Sequence, residues 1–482
     1  NHDMKHKSIH KNYLWNMSYQ ALTVLTPLIT TPYTSRVLKP EGIGIYSFAY
    51  SVVSYFVLLA NLGTVTYAQR EISYYQDDIS NRSTIFWNTF CLRLLTSLCT
   101  LLIYLIFSFC SEFRYLLLIL SVNIVAVIFD ISWLYQGMED YGTIMKKNIL
   151  FRILTVVFIF IFVRQEKDLP TYCLMMAAGT FLGNVSMWKE ITSVIDRPDW
   201  KHIRPFSDIK TVLSLFVPTI AIQIYTILDK TMIGLFSGVG AENGYYEQAM
   251  KFARLTQMVV TSLSTVMISR IGYCFIQEEN QKLKNYIYRS YQYVWVLAIP
   301  MSLGLIGISD NFIPWFLGEE FSKVGSLLKL LSLLVISIGV NTVTGNEYLI
   351  PTKRQNLYTK TVVTGALMNV CLNALLIPTF LSIGAAIASV CAETWIAMYQ
   401  LYLMRHELSV SEVMRRSVKY LLAGVGMFIV LSLENRYLNP SPLHTLCMVI
   451  TGASTYLLLL ILLKDRFLID NLKRIAKAVT KS

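Results

Sequence analysis

Apolar residues in this chain come in blocks about 20 long, separated by short polar turns. That feature excludes most folds. About 20 apolar residues let an α-helix cross the ~30 Å hydrocarbon core of a bilayer. Inside lipid, only helices and closed barrels satisfy every backbone amide. A barrel would show alternating segments of roughly ten residues, and the sequence has none. Only 15% of the residues are charged, against about 25% in soluble domains, and the mean hydropathy is +0.49. The chain therefore reads as an all-α polytopic membrane protein. A soluble enzyme and a disordered chain are both excluded.

The blocks place about fourteen transmembrane helices near 13–31, 43–66, 85–108, 115–136, 149–163, 171–188, 212–236, 245–269, 291–309, 325–347, 360–378, 383–403, 418–433 and 443–463. Loop charge supports the count. With a cytoplasmic N-terminus, 29 of the 42 Lys and Arg fall on the cytoplasmic side. Only Arg36, Lys39, Arg114, Arg164, Lys167, Lys323 and Arg436 fall outside, and Arg93, Arg152, Lys230, Lys251, Arg254 and Lys329 lie inside spans. This is the asymmetry of the positive-inside rule, and it puts both termini in the cytoplasm. The net charge of +12 is then mainly topological, and no nucleic-acid partner is expected. The basic tail (Lys464, Arg466, Lys473, Arg474, Lys477, Lys481) suits anionic headgroups. Lys5, Lys7 and Lys11 precede a long apolar stretch with no small-residue cleavage site, so no cleavable leader is expected.

Four regions follow: an N-terminal six-helix lobe over 1–188, a cytoplasmic linker over 189–211 marked by Pro198 and Pro205, a second six-helix lobe over 212–403, and helices 13–14 with the basic tail over 404–482. The lobes echo each other at an offset of 200, where Gly44, Tyr46 and Ala49 match Gly244, Tyr246 and Ala249. Six helices per lobe give parallel repeats, an architecture in which transporters bind substrate between halves.

A charge at mid-bilayer costs about 2.5–3.5 kcal/mol on insertion scales, so each is a functional candidate. Glu247, Lys251 and Arg254 fall at i, i+4 and i+7 on one helix face. They either form a cationic cavity wall or pair and snorkel at the interface. Asp229 and Lys230 share a helix with Tyr225 and Pro218, where a proline bend is either a gating hinge or a structural kink. Arg93 lies about two turns into its span, whereas Arg152 lies near a span end and could snorkel. Arg36 and Arg70 lie just outside spans. Thr361, Gly365, Asn369 and Asn373 form a stripe that is either interhelical glue or cavity lining. Asp130, Asp229, Glu347 and Glu393 could carry a coupling H+ or Na+, or neutralise an arginine. The eight cysteines have no C-x-x-C pairing and the six histidines no ligand spacing. No metal site, disulfide framework or catalytic residue is expected.

Two segments carry a family likeness. Thr30-Thr31-Pro32-Tyr33-Thr34-Ser35-Arg36-Val37-Leu38, followed by Gly42-Ile43-Gly44-Ile45-Tyr46-Ser47-Phe48-Ala49, resembles the N-terminal signature of polysaccharide-biosynthesis flippases. Leu62-Gly63, Arg70-Glu71-Ile72 and the run from Leu228-Asp229-Lys230 to Gly244-Tyr245-Tyr246 continue it. These flippases are the O-antigen and capsule repeat-unit translocases of the multidrug/oligosaccharidyl-lipid/polysaccharide exporter superfamily. The resemblance implies two six-helix lobes in a V, related by a pseudo-two-fold, with a central cavity and two accessory helices. It implies an undecaprenyl-pyrophosphate-linked oligosaccharide moved from the inner to the outer leaflet of the bacterial cytoplasmic membrane by alternating access, coupled to an ion gradient. It also implies a monomer working beside a polysaccharide polymerase and a chain-length regulator.

Arginine suits pyrophosphate, so the substrate-binding cationic cavity is assigned to Arg36, Arg70, Arg93, Arg152, Lys230, Lys251 and Arg254, with Asn369 and Asn373. A multidrug cation antiporter is the rival in the same superfamily, yet six bases against five acids in the spans favour an anionic cargo. A peptidoglycan-precursor flippase remains open. A membrane glycosyltransferase or polymerase is disfavoured, because the outer loops are short and no acid/base constellation, phosphate-binding loop or G-x-S-x-G motif is present.

Overall fold

The computed structural model describes residues 9–465 apart from 139 and 263, together with 467 and 469. The helices met in chain order are α1 (9–38), α2 (40–61, resuming as Thr64–Tyr74), α3 (Ile79–Phe109), α4 (Arg114–Gly137, in three pieces), α5 (Tyr141–Phe162), α6 (Leu169–Ser186), α7 (Ile209–Ser237), α8 (Ala241–Thr261, resuming as Ser264–Ile276), α9 (Asn280–Leu317), α10 (Glu319–Leu349), α11 (Gln355–Phe380), α12 (Ser382–Leu403), α13 (Val410–Tyr437) and α14 (Pro442–Leu462). Among the described residues, nine helical stretches are long and apolar enough to cross a membrane, the first of them containing both α1 and α2. The protein is a multi-pass helical membrane protein. Large apolar side chains such as Leu102, Ile106 and Leu375 are more than 60% exposed along the spans, the reverse of a soluble core and the surface that lipid requires.

Contacts divide the chain into two compact units, Asn1–Gly234 with Val239–Gly244, and Leu235–Gly238 with Tyr245–Ser482. The first unit thus includes α7 as far as Gly234. Within it, α5 pairs with α6, α6 also packs on α4, and the α1–α2 stretch packs on α3 and α5. Its core gathers Ile72, Phe86, Trp133, Leu134 and Tyr135, with the Phe86 and Trp133 rings stacked at 5.2 Å. Within the second unit, α11 pairs with α12, α9 with α13, and α13 with α14. Its core runs from Tyr291 and Trp295 through Val335, Val343 and Leu349 to Tyr420 and Met448.

The helix breaks have local causes. Lys39 adopts φ 61°, ψ 170° between α1 and α2, because Pro40 behind it disfavours the helical region. The sequence predicts α2 as one helix over 43–66. Instead it stops at Asn61, turns through Leu62 (φ 45°) and Gly63 (φ 73°), and continues to Tyr74. Gly63 tolerates that φ, and a Cβ there would meet Phe216 at 3.0 Å. Likewise α8, predicted over 245–269, ends at Thr261 and resumes at Ser264. Arg70, placed by sequence just outside a span, lies on the first of these resumed helices, and Arg270 lies on the second. Pro218 lies within helical backbone of α7, while its side chain and that of Tyr225 fall outside the described residues. Residues 1–8, with Lys5 and Lys7, and the tail positions 466 and 470–482, with Lys473, Arg474, Lys477 and Lys481, also fall outside them.

The repeat-matched glycines meet inside the first unit. A Cβ on Gly44 would sit 1.8 Å from the Gly240 carbonyl oxygen, and one on Gly244 would sit 2.0 Å from that of Pro40. Only backbone fits there, which is how small residues let membrane helices approach closely.

The linker is fastened rather than loose. The buried Arg82 of α3 donates from Nη2 to the Val194 carbonyl at 2.7 Å and from Nη1 to that of Gln76. Trp87 Nε1 donates to the Asp196 carbonyl at 2.9 Å, and the Arg204 amide donates to Asn88 Oδ1 at 2.8 Å.

Candidate functional site

In the first unit, buried charge collects where two helices break. Arg93 of α3 is 1% exposed. Its Nη2 donates to Asn61 Oδ1 at 2.6 Å and to Asp130 Oδ2 at 3.3 Å. Asn61 is the last residue of α2 before its break. Asp130 closes the second piece of α4 with extended backbone (ψ 104°). Its Oδ1 accepts from the Ser132 amide at 3.0 Å, and its carbonyl accepts from Trp133 Nε1 at 2.9 Å. Thr96, one turn along α3, donates to the Ala60 carbonyl at 2.9 Å. One face of α3 therefore satisfies the Ala60 carbonyl freed at the α2 break and holds the Asn61 and Asp130 side chains beside the two breaks, which lipid could not do. Arg93 Nε and Nη1, with the Thr89 and Ser97 hydroxyls one turn to either side, are buried without hydrogen-bond partners among the described residues.

The second unit has a related arrangement. Glu347 is 4% exposed and sits in a π-helical turn of α10, Thr342–Leu349. Ser264, where α8 resumes, and Ser290 of α9 approach its carboxylate. Glu347 Oε2 and both serine hydroxyls are buried without a hydrogen bond. Beside them, the hydroxyls of Tyr291 and Thr344 lie 2.6 Å apart.

The other sequence candidates scatter. Arg254 is exposed on α8 with no hydrogen-bond or ion-pair partner among the described residues, whereas Lys251 donates to Gln248 Oε1 at 3.2 Å. Arg36 is exposed, and Arg70 pairs with its neighbour Glu71 at 2.8 Å. Arg152 Nη1 reaches Thr23 Oγ1 at 3.3 Å, tying α5 to α1. Asp229 is buried, and the carbonyl of Lys230 accepts from Asn243 Nδ2 at 2.6 Å. Asn369 and Asn373 are wholly buried and joined by a 2.9 Å hydrogen bond. Their stripe packs on α12, where Gln400 Nε2 donates to Thr361 Oγ1 at 3.1 Å and a Cβ on Gly365 would meet Ile396 at 2.3 Å. Glu393 Oε2 accepts from Asn341 Nδ2 at 3.3 Å. Among the described residues no group of three or more His, Cys, Asp or Glu could hold a metal ion.

Sequence reasoning missed Asn61, Thr96, Ser264 and Ser290; Asn61 and Ser264 are polar residues beside a helix interruption, whereas Thr96 and Ser290 lie inside α3 and α9 and carried no local signal. It also missed an apolar groove of about 520 Å³ in the second unit. Thr256 of α8, Pro300, Gly304 and Ile308 of α9, Met427 of α13 and Met448 of α14 line it.

The family profile described as polysaccharide biosynthesis protein matches residues 9–272. Over 411 residues the chain is 20% identical to the "Putative O-antigen transporter" of Escherichia coli (strain K12), covering 83% of this chain and 97% of that protein. It is 24% identical over 257 residues to the "Probable low-salt glycan biosynthesis flippase Agl15" of Haloferax volcanii, covering 53% of each. Among solved structures, the lipid II flippase MurJ in an inward closed conformation superposes with a TM-score of 0.77 at 16% identity, covering 94% of this chain and 99% of that one. The fold is that of the exporter superfamily to which the sequence likeness pointed.

Proposed function

This chain belongs to the polysaccharide biosynthesis protein family, and on that premise we propose that it is a flippase for lipid-linked oligosaccharides. Its cargo is an undecaprenyl-pyrophosphate-linked repeat unit of O-antigen, capsule or a related surface polysaccharide. It carries this cargo from the inner to the outer leaflet of the bacterial cytoplasmic membrane by alternating access, with both termini cytoplasmic. An ion gradient drives the cycle through one of Asp130, Asp229, Glu347 and Glu393. A polymerase and a chain-length regulator use the product.

One observation carries this reading. In the second unit α8 separates a cationic face from a greasy groove. Arg254 is exposed and has no ion-pair partner among the described residues, and Thr256, two residues on and roughly 200° around the helix, lines the apolar groove. A polyprenyl pyrophosphate has those two parts, an anionic head that an arginine fork grips and a long apolar tail that is stabilised by about 0.8 kcal/mol per buried CH₂. A cation antiporter has no use for an unpaired arginine. Lipid II shares the head and tail chemistry, and the relatives named for glycan transport favour a surface glycan.

The test is transfer of a fluorescent polyprenyl-pyrophosphate oligosaccharide across proteoliposomes. Arg254→Ala removes the head contact. Gly304→Leu fills the groove, where a Cβ has room at 3.8 Å from Met427. Both variants are expected to insert normally and to lose at least about tenfold in rate, the worth of one charge-assisted contact. Wild-type rates in both would refute the assignment.

A further inference from the structure

The two units interrupt the same helices, and their buried carboxylates differ in one respect. The second helix of each half stops and restarts at an offset of 200: Asn61 and Thr64 in α2, Thr261 and Ser264 in α8. The fourth helix of each half also departs from α-helical geometry, at Asp130 in α4 and over Thr342–Leu349 in α10. Each departure holds a carboxylate that faces the third helix of its half. In the first unit that helix supplies a cation, Arg93, at 3.3 Å from Asp130. In the second unit it supplies Ser290, and among the described residues no basic side chain pairs with Glu347.

An ionised carboxylate that is 4% exposed and unpaired is costly in low dielectric. Three oxygens brought together by three helices (Glu347 Oε2, Ser264 Oγ, Ser290 Oγ) approach one another, but none makes a hydrogen bond of normal geometry among the described residues. A proton on Glu347 would neutralise it and let the acid donate to one serine and accept from the other, the rival that the ion exchange below separates from a bound cation. A hard cation takes several oxygens at once. The single negative charge selects a monovalent ion, because a divalent one would leave a net buried charge. A π-turn is also a frequent marker of function. We propose that Glu347, Ser264 and Ser290 bind one sodium-sized monovalent cation, which takes in the second unit the place that Arg93 holds in the first. Its use as the coupling ion rests on the flippase reading, but the binding does not.

The experiment is thermal unfolding of the purified full-length protein in detergent at constant ionic strength, with NaCl exchanged for N-methylglucamine chloride and no glycan present. Na+ is expected to raise Tm in a saturable manner. Glu347→Gln and Ser290→Ala should each weaken the apparent Na+ affinity by about tenfold or more, and Asp310→Asn, at an exposed carboxylate of α9, should leave it intact. Ser290→Ala removes only a hydroxyl, so it reports even if Glu347→Gln fails to fold. An unchanged Na+ response in Ser290→Ala, or its loss in Asp310→Asn, would overturn the proposal. So would a wild type indifferent to Na+, including one whose pH dependence vanishes in Glu347→Gln, since that carboxylate would bind a proton alone. Because no glycan enters the assay, failure here leaves the flippase reading untouched, and failure of glycan transfer leaves this result standing.

Discussion

Removing either partner of the Arg93–Asp130 pair should destabilise the first unit, and the two losses should be unequal. Breaking a buried ion pair from one side costs about 3–5 kcal/mol, because the remaining charge is stranded. Asp130→Asn strands Arg93, which is 1% exposed and already has two unpartnered nitrogens, so it should cost the full ~3–5 kcal/mol. Arg93→Met strands Asp130, which is 24% exposed and keeps the Ser132 amide at 3.0 Å. It also leaves Asn61 Oδ1 without its 2.6 Å donor. Partial access to water and the retained amide bond should hold this loss to about 2–3 kcal/mol. The double variant strands no charge and should recover most of the deficit, giving a coupling energy of at least ~2 kcal/mol, toward the upper end for contacting pairs. Equilibrium unfolding by SDS titration, followed by thiol labelling of the buried Cys173, measures all four corners of the cycle. If Asp130→Asn is milder than Arg93→Met, or if the coupling is near zero, the clamp does not hold the two breaks as described.

Two further outcomes follow from packing. Gly44→Ala and Gly244→Ala drive a Cβ to within 2.0 Å of backbone carbonyl oxygens and should each cost at least about 3 kcal/mol, the upper end of overpacking, whereas Gly238→Ala has no atom within 4 Å and should cost only the ~1 kcal/mol of its left-handed φ; the same SDS titration ranks them. Arg82→Ala removes the donor that holds the linker at Val194, together with its tie to Gln76 in the turn before α3, so trypsin should cut at the exposed Arg197 and Lys201 at least about tenfold faster than in wild type, which tracks a local opening made easier by ~1.5–3 kcal/mol.

Hydropathy by itself determined the class, the helices and their approximate places, because the bilayer selects for apolar length and length is written locally. The glycine matches at 44 and 244 also proved to mark a close approach. Hydropathy could not show which charges are buried. Arg93 and Arg254 look alike in sequence, yet one is sealed between Asn61 and Asp130 while the other is exposed. That difference depends on the rotation of each helix about its axis and on partners tens to hundreds of residues away. Nor could an apolar window over 43–66 reveal the break at Leu62 and Gly63, because the Ala60 carbonyl freed there is satisfied by Thr96 of another helix, with Arg93 holding Asn61 beside it. The hydroxyls around Glu347 come from α8 and α9, so only the packed tertiary structure, which fixes helix rotation and long-range neighbours together, decided where charge could be kept inside the membrane.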